Sequence, residues 1–232
     1  MANDLPEWML RAFSKPRMAA YLRAAGGDPQ VAMRLYWWNM EASAALYGPL
    51  HCLEVTLRNA LHDVLTQHHG RPDWWASAPL SRNGFRLVDE ARGKVERSGA
   101  VPAPVGGIVA ELTLGFWVSL VSGAPGYDRG FWVPATHKAF PYYSGRRKEL
   151  HDRLMSLLWF RNRVMHHEPI DHRCRPRCPR WHLDPAAGHD TIYRVMGYLS
   201  PELAKEAQVM DRFPRVLAGR GDALRGTRPP QF

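Results

Sequence analysis

Arg161, Asn162 and His166 are the residues of this chain whose types and spacing could do chemistry. They lie in the run Leu157-Leu158-Trp159-Phe160-Arg161-Asn162-Arg163-Val164-Met165-His166-His167-Glu168-Pro169-Ile170. Upstream, Leu150, Leu154, Leu157 and Leu158 repeat at helical spacing, and the same row continues through Arg161 and Met165. An arginine therefore stands where the pattern calls for a core residue. Asn162 and His166 form an i, i+4 pair that projects from neighbouring turns. Pro169 disfavours helical geometry at Glu168, so the helix is expected to stop near His167. His166 then falls in the last turn, where unpaired carbonyls and the negative end of the helix dipole favour an imidazolium. A histidine exchanges a proton near neutral pH, and an arginine fork holds a phosphate and the charge that develops on it. The chemistry such a set suits is phosphodiester cleavage without a metal. The same residues also fit a plainer arrangement, in which Arg161 lays its stem along the core and His166 and His167 sit on the surface at a helix end.

Other helices must position that run. The first thirty residues read as an entry segment with a short helix, ending at Gly26-Gly27-Asp28-Pro29. Val31, Leu35, Trp38, Ala42 and Leu46 predict a helix to Tyr47, which Gly48-Pro49 should interrupt or kink. Leu50, Leu53, Leu57, Leu61, Val64 and Leu65 predict a second one ending at Gly70. On it, Glu54 lies on the apolar stripe, with Arg58 one turn on, Asn59 beside it and His62 a further turn along. Glu54 and Arg58 are either a surface pair of little consequence or a buried pair that orients the polar groups of the key helix. Further helices are expected over Arg82 to Arg97, over Glu111 to Leu120 with Gly115 permitting close approach, from Thr191 to Leu199, and from the Ser200 cap to Arg212. The loop from Ser122 to Gly145 carries Phe131, Trp132, Phe140, Tyr142 and Tyr143, which either pack on the core or offer rings for base stacking. Arg220 to Phe232 reads as a frayed basic tail.

A chain of 232 residues with nine tryptophans and 45% hydrophobic residues can bury one substantial core and is not a disordered tail. The net charge is +9. Between Arg146 and Arg180 stand ten Lys or Arg against four Asp or Glu, so six of those charges fall in the window that holds the key helix. A polyanion is the natural partner, whether RNA, DNA or an acidic membrane surface; a solvated basic face is the plainer reading. The start lacks the features of a signal peptide, and the apolar window Gly107 to Val121 is short and carries Glu111. A cytoplasmic protein with no membrane partner is expected. Three cysteines, Cys52, Cys174 and Cys178, give no disulfide framework. Cys174-x3-Cys178, with His172, His182 and His189 nearby, matches no familiar zinc spacing, so neither a metal nor another cofactor is expected. With no Gly-rich phosphate loop and no long alternating run, the class is all-α.

Several blocks resemble the Abi family of bacterial abortive-infection proteins, a branch of the HEPN superfamily. These are the segment from Leu35-Tyr36 to Asn39, Leu53-Glu54-Val55-x-Leu57-Arg58-Asn59, Thr113-x-Gly115-Phe116-Trp117-Val118, and Phe160-Arg161-Asn162-Arg163-x2-His166-His167-Glu168-Pro169-Ile170. The resemblance covers most of the span from Arg17 to Ile170. Met165 stands where the family usually has a small residue, and Cys174 to His189 has no counterpart in it. The resemblance implies an all-α, HEPN-like helical bundle with additional helices and long loops. It divides the chain into an entry segment (1–29), a core (30–170) and a C-terminal extension (171–232). It also implies a homodimer in which the Arg-x4-His motifs of two protomers face a shared cleft. Arg161 and His166 would be the ribonuclease pair and Asn162 their orienting neighbour. Glu54, Arg58, Asn59, Arg163 and His167 would support the cleft or contact RNA. The implied activity is metal-independent RNA cleavage by a toxin or phage-defence effector, with an antitoxin or regulatory RNA as a further partner. A non-catalytic module that binds RNA or a partner protein through the same cleft is the alternative.

Overall fold

A computed structural model of the protein describes residues 5–171 and 183–231. Among these residues all regular structure is helical. The helices are α1 (Glu7–Phe13), α2 (Lys15–Ala24), α3 (Pro29–His69), α4 (Arg82–Arg97), α5 (Val105–Glu111), α6 (Leu114–Ser119), α7 (Arg147–Met165), α8 (Pro185–Leu199), α9 (Pro201–Val209), α10 (Phe213–Ala218) and α11 (Arg220–Arg225). No helix among the described residues is long and apolar enough to cross a membrane.

The chain forms two compact units, neither of them a continuous segment. The first comprises Met1–His51, Trp159–Ile192 and Glu206–Phe232, and the second Cys52–Leu158 and Tyr193–Lys205. The boundary falls inside α3, α7, α8 and α9.

In the first unit, Leu35, Trp38, Ala42, Leu46 and Leu50 of α3 are all at most 1% exposed, as the 3.6-residue period requires. Tyr36 meets Phe13 at 4.6 Å and Tyr21 at 5.1 Å, which seats α1 and α2 on α3. Trp38 donates its indole N–H to the Val216 carbonyl at 3.2 Å, and the Arg220 guanidinium lies 5.0 Å over its ring. Phe160 packs under Gly188 of α8, where a Cβ would come within 2.5 Å of the ring. Glycine is therefore needed at that crossing.

The second unit centres on Trp74, whose ring lies 5.5 Å from Trp75, 6.3 Å from Phe116 and from Trp117, and 6.4 Å from Phe131. Its indole N–H donates to His62 Nδ1 at 3.2 Å, so the polar edge of a fully buried tryptophan is satisfied. Arg147 ties the start of α7 to the Val121 carbonyl at 3.0 Å and to Asp128 at 2.8 Å. The aromatic loop between α6 and α7 is folded here. Phe131 and Phe140 are buried, and it contains a π-helical turn, Asp128–Trp132, and a 3₁₀ turn, Thr136–Ala139.

Four elements differ from expectation. Gly48-Pro49 does not interrupt α3, which runs for 41 residues. A proline inside a helix loses one rung and costs about 3 kcal/mol, but Leu46, Leu50 and Leu53 around it are fully packed and offset that loss. The apolar segment expected as one helix over Glu111 to Leu120 breaks between α5 and α6, where the Thr113 hydroxyl accepts from Phe116 N at 3.4 Å. A methyl on Gly115 would meet Leu158 and the Thr113 hydroxyl, each at an ordinary 3.8 Å, so that glycine is not there for close approach. Finally, residues from Arg220 onward are not frayed: α11 forms, Arg220 binds Asp171, and Arg228 binds the fully buried Glu41.

Candidate functional site

The site is built on the C-terminal end of α7, in the first unit. The helix stops at Met165, two residues before the expected end near His167, in a hydrogen-bonded reversal. His167 adopts the left-handed conformation, with φ 57°. Its N–H donates to the Val164 carbonyl at 3.1 Å, and the Glu168 N–H donates to the Arg163 carbonyl at 2.8 Å. This pair of bonds is a Schellman cap, normally closed by glycine, with histidine in its place.

Three other elements hold the segment that leaves the cap. Arg17 of α2 donates to the His167 carbonyl. Asn39 of α3, only 3% exposed, accepts from the Ile170 N–H at 2.8 Å and donates to the Glu168 carbonyl at 3.4 Å. Arg220 of α11 binds Asp171, itself 4% exposed. The segment from His167 to Asp171 is thus fastened through its backbone at His167, Glu168 and Ile170 and through the Asp171 side chain, a rigid mount of the kind a reacting side chain needs.

On that mount His166 is exposed, and its N–H closes a regular helical bond to the Asn162 carbonyl at 2.9 Å. Arg161 and Asn162 are half-buried, and Arg161 Nη1 donates to Asn162 Oδ1 at 3.4 Å. Arg161 sits at the edge of the core, not within it. The buried arginine of the motif is Arg163, 5% exposed. It stands one turn beyond Phe160 and engages other groups within the protein.

Beside the cap lies a groove of about 630 Å³, lined by Tyr36, Asn39, Met40, Ser43, Ala44 and Tyr47 of α3 and by Val164, Met165 and His167. His167 enters it where His166 does not. Met40 and Tyr47 are 39% and 58% exposed. Burial holds the Tyr36 phenol above its ordinary pKa, with Arg17 opposing.

Glu54, Arg58 and Asn59 belong to the second unit, and Arg161, Asn162 and His166 to the first. Glu54 and Arg58 are half-buried, Asn59 is exposed, and Arg58 Nε donates to Asn59 Oδ1 at 3.4 Å. Cys174, Cys178, His172 and His182, the residues of the zinc reading, lie outside the described residues. His189 is engaged elsewhere: its Nε2 is 2.5 Å from Asp211 Oδ2, and its ring stacks on Phe213 at 5.0 Å.

The functions of Arg17, Asn39 and Asp171 in fixing the helix end escaped the sequence reading. Asn39 gave the best signal, because a polar residue between Leu35, Trp38 and Ala42 must find partners when its helix is buried. No family model, curated protein or solved structure matches the chain.

Proposed function

We propose that the protein is a metal-independent endoribonuclease of the HEPN type, acting as an abortive-infection toxin, with Arg161 and His166 as its reacting pair in a homodimer. The observation that carries this reading is the mount at the end of α7. An arginine and a histidine five positions apart stand at a helix end whose outgoing chain is held by Arg17, Asn39 and Arg220, in a chain of net charge +9. Such restraint is what a reacting group requires and a merely solvated helix end does not.

In this reading the ribose 2′-hydroxyl attacks the adjacent phosphate. His166 takes the hydroxyl proton, the new O–P bond closes a cyclic phosphate, and the bond to the departing 5′-oxygen breaks. The counterpart histidine of the second copy, in its protonated form, supplies a proton to that oxygen. Arg161 balances the charge on the phosphorane, and Asn162 orients Arg161 through its side-chain oxygen.

One observation favours the alternative, a non-catalytic HEPN module that binds RNA or a partner protein. The groove beside the motif is mainly apolar in its lining and receives His167, not His166. Induced expression of the wild type beside Arg161→Ala and His166→Ala separates the two. Growth arrest and RNA fragmentation confined to the wild type are expected for a nuclease. Equal behaviour of all three folded proteins would leave the binding module.

A further inference from the structure

We propose that the loop between α6 and α7, in the second unit, is a binding site for single-stranded nucleic acid, with Tyr142 and Tyr143 as stacking platforms and Lys138 and Arg146 as phosphate contacts. The site stands apart from the Arg161–His166 reading and does not depend on it.

The loop encloses a groove of about 720 Å³ whose lining includes Trp132, His137, Lys138 and Tyr143. From Arg129 to Lys148 the chain carries five Lys or Arg; Arg147 pairs with Asp128 and Lys148 with Asp152, so Arg129, Lys138 and Arg146 are the cations the loop itself offers. Aromatic faces interleaved with such cations fit a polyanion with exposed π-faces better than they fit a neutral metabolite. A loop built only to cover the core would hide its rings, as Phe131 and Phe140 do. Tyr142 is instead 58% exposed, and Lys138 and Arg146 of the same loop are exposed as well.

The Tyr143 ring and the Tyr142 backbone are also held in place. Tyr143 lies 4.7 Å from the ring of Tyr198, and its hydroxyl donates to the Arg146 carbonyl at 2.9 Å. The Tyr142 N–H donates to the Tyr198 carbonyl at 3.3 Å, and Arg153 fixes Tyr198 in turn, binding its hydroxyl. Gly145 makes the arrangement possible, since a Cβ there would come within 2.4 Å of the Tyr143 hydroxyl. On the other side, His137 Nδ1 and the Trp132 carbonyl are 2.8 Å apart, at the end of the π-helical turn. Turns of that kind are rare and occur frequently at functional sites. A ring already fixed, as that of Tyr143 is, loses little entropy when a base stacks on it.

The test is fluorescence anisotropy on the full chain carrying Arg161→Ala, so that the probe stays intact whichever way the nuclease reading falls. The probes are a short labelled oligouridylate, an oligothymidylate of the same length, and an RNA duplex. Single strands should bind more tightly than duplex, because only unpaired bases present free faces. Tighter binding of oligouridylate than of oligothymidylate names RNA, and equal binding names any single strand. Tyr142→Ala should weaken single-strand binding by about tenfold, with Tyr142→Phe restoring it. Lys138→Ala with Arg146→Ala should reduce the slope of log affinity against log salt by about 1.4. The proposal is overturned if duplex and single strand bind alike, or if these variants, folded by circular dichroism, keep the parent affinity and slope.

Discussion

At the scale of single residues, His167 is a strained position, one of two non-glycine residues with positive φ among the described residues, the other being Ser14. A side chain in the left-handed region costs about 1–2 kcal/mol that glycine would not incur. His167→Gly should therefore raise the unfolding free energy by about 1 kcal/mol, seen as a higher Tm, because it keeps the cap's two backbone bonds. If histidine is retained there for function, the same variant should bind or cleave RNA less well, the trade expected where strain sits at a site. Asn39 predicts the opposite behaviour. Asn39→Ala leaves the Ile170 N–H without its acceptor beside a fully buried side chain, at a cost of about 1–3 kcal/mol by chemical denaturation. Asn39→Asp keeps that acceptor and should lose less.

At the scale of elements, α3 and α7 carry histidines that burial holds below the ordinary pKa. For His62 and His69 on α3 and for His151 on α7 desolvation is the leading cause, and Asp63 and Asp152 partly oppose it at His62 and His151. Between these lowered values and the usual value of about 6.5, the unfolded chain binds protons that the folded chain does not. Their stabilisation is complete above about pH 6.5 and is lost as pH falls through the lowered values. Tm should accordingly drop from about pH 7.5 to about pH 5.5, and His62→Gln, which keeps an acceptor for Trp74, should flatten that decline. A pH-independent Tm would contradict the assignment.

Elements were also the level at which the sequence was most legible. The spacing of Phe85, Val88, Ala91 and Val95 located α4 with its ends; the Ser81 hydroxyl caps Gly84 N and Val88, Ala91 and Val95 are buried, but Phe85 is exposed. Ser200 likewise caps α9 through Leu203 N at 3.1 Å. The long α3 was not legible: local rules read Gly48-Pro49 as a break, and only packing around Leu46 and Leu50 overrides them. At α7 the row of leucines pointed to Arg161 as a core residue, whereas Arg161 is half-buried and Arg163 is buried.

At the scale of the whole molecule, the ties that steady the helix end join residues far apart in sequence. Asp171 and Arg220 are separated by 49 positions, and Glu41 and Arg228 by 187. A charge on an apolar stripe announces that it needs a partner, but periodicity does not say which. Arg228→Ala leaves the Glu41 carboxylate buried and uncompensated, which should cost about 3–5 kcal/mol. Adding Glu41→Gln should recover much of that loss, a coupling that a double-mutant cycle measures directly. Additive losses would mean that the C-terminal segment is not held through this pair.

The central claim is that Arg161 and His166 cleave RNA without a metal. The direct measurement is incubation of purified wild type, Arg161→Ala and His166→Ala with RNA in excess chelator, with the product ends identified by mass spectrometry. Cyclic phosphate ends from the wild type, with each variant folded and slower by about a hundredfold or more, is the predicted result. Intact RNA with a folded, dimeric wild type, or cleavage undiminished in both variants, would contradict it.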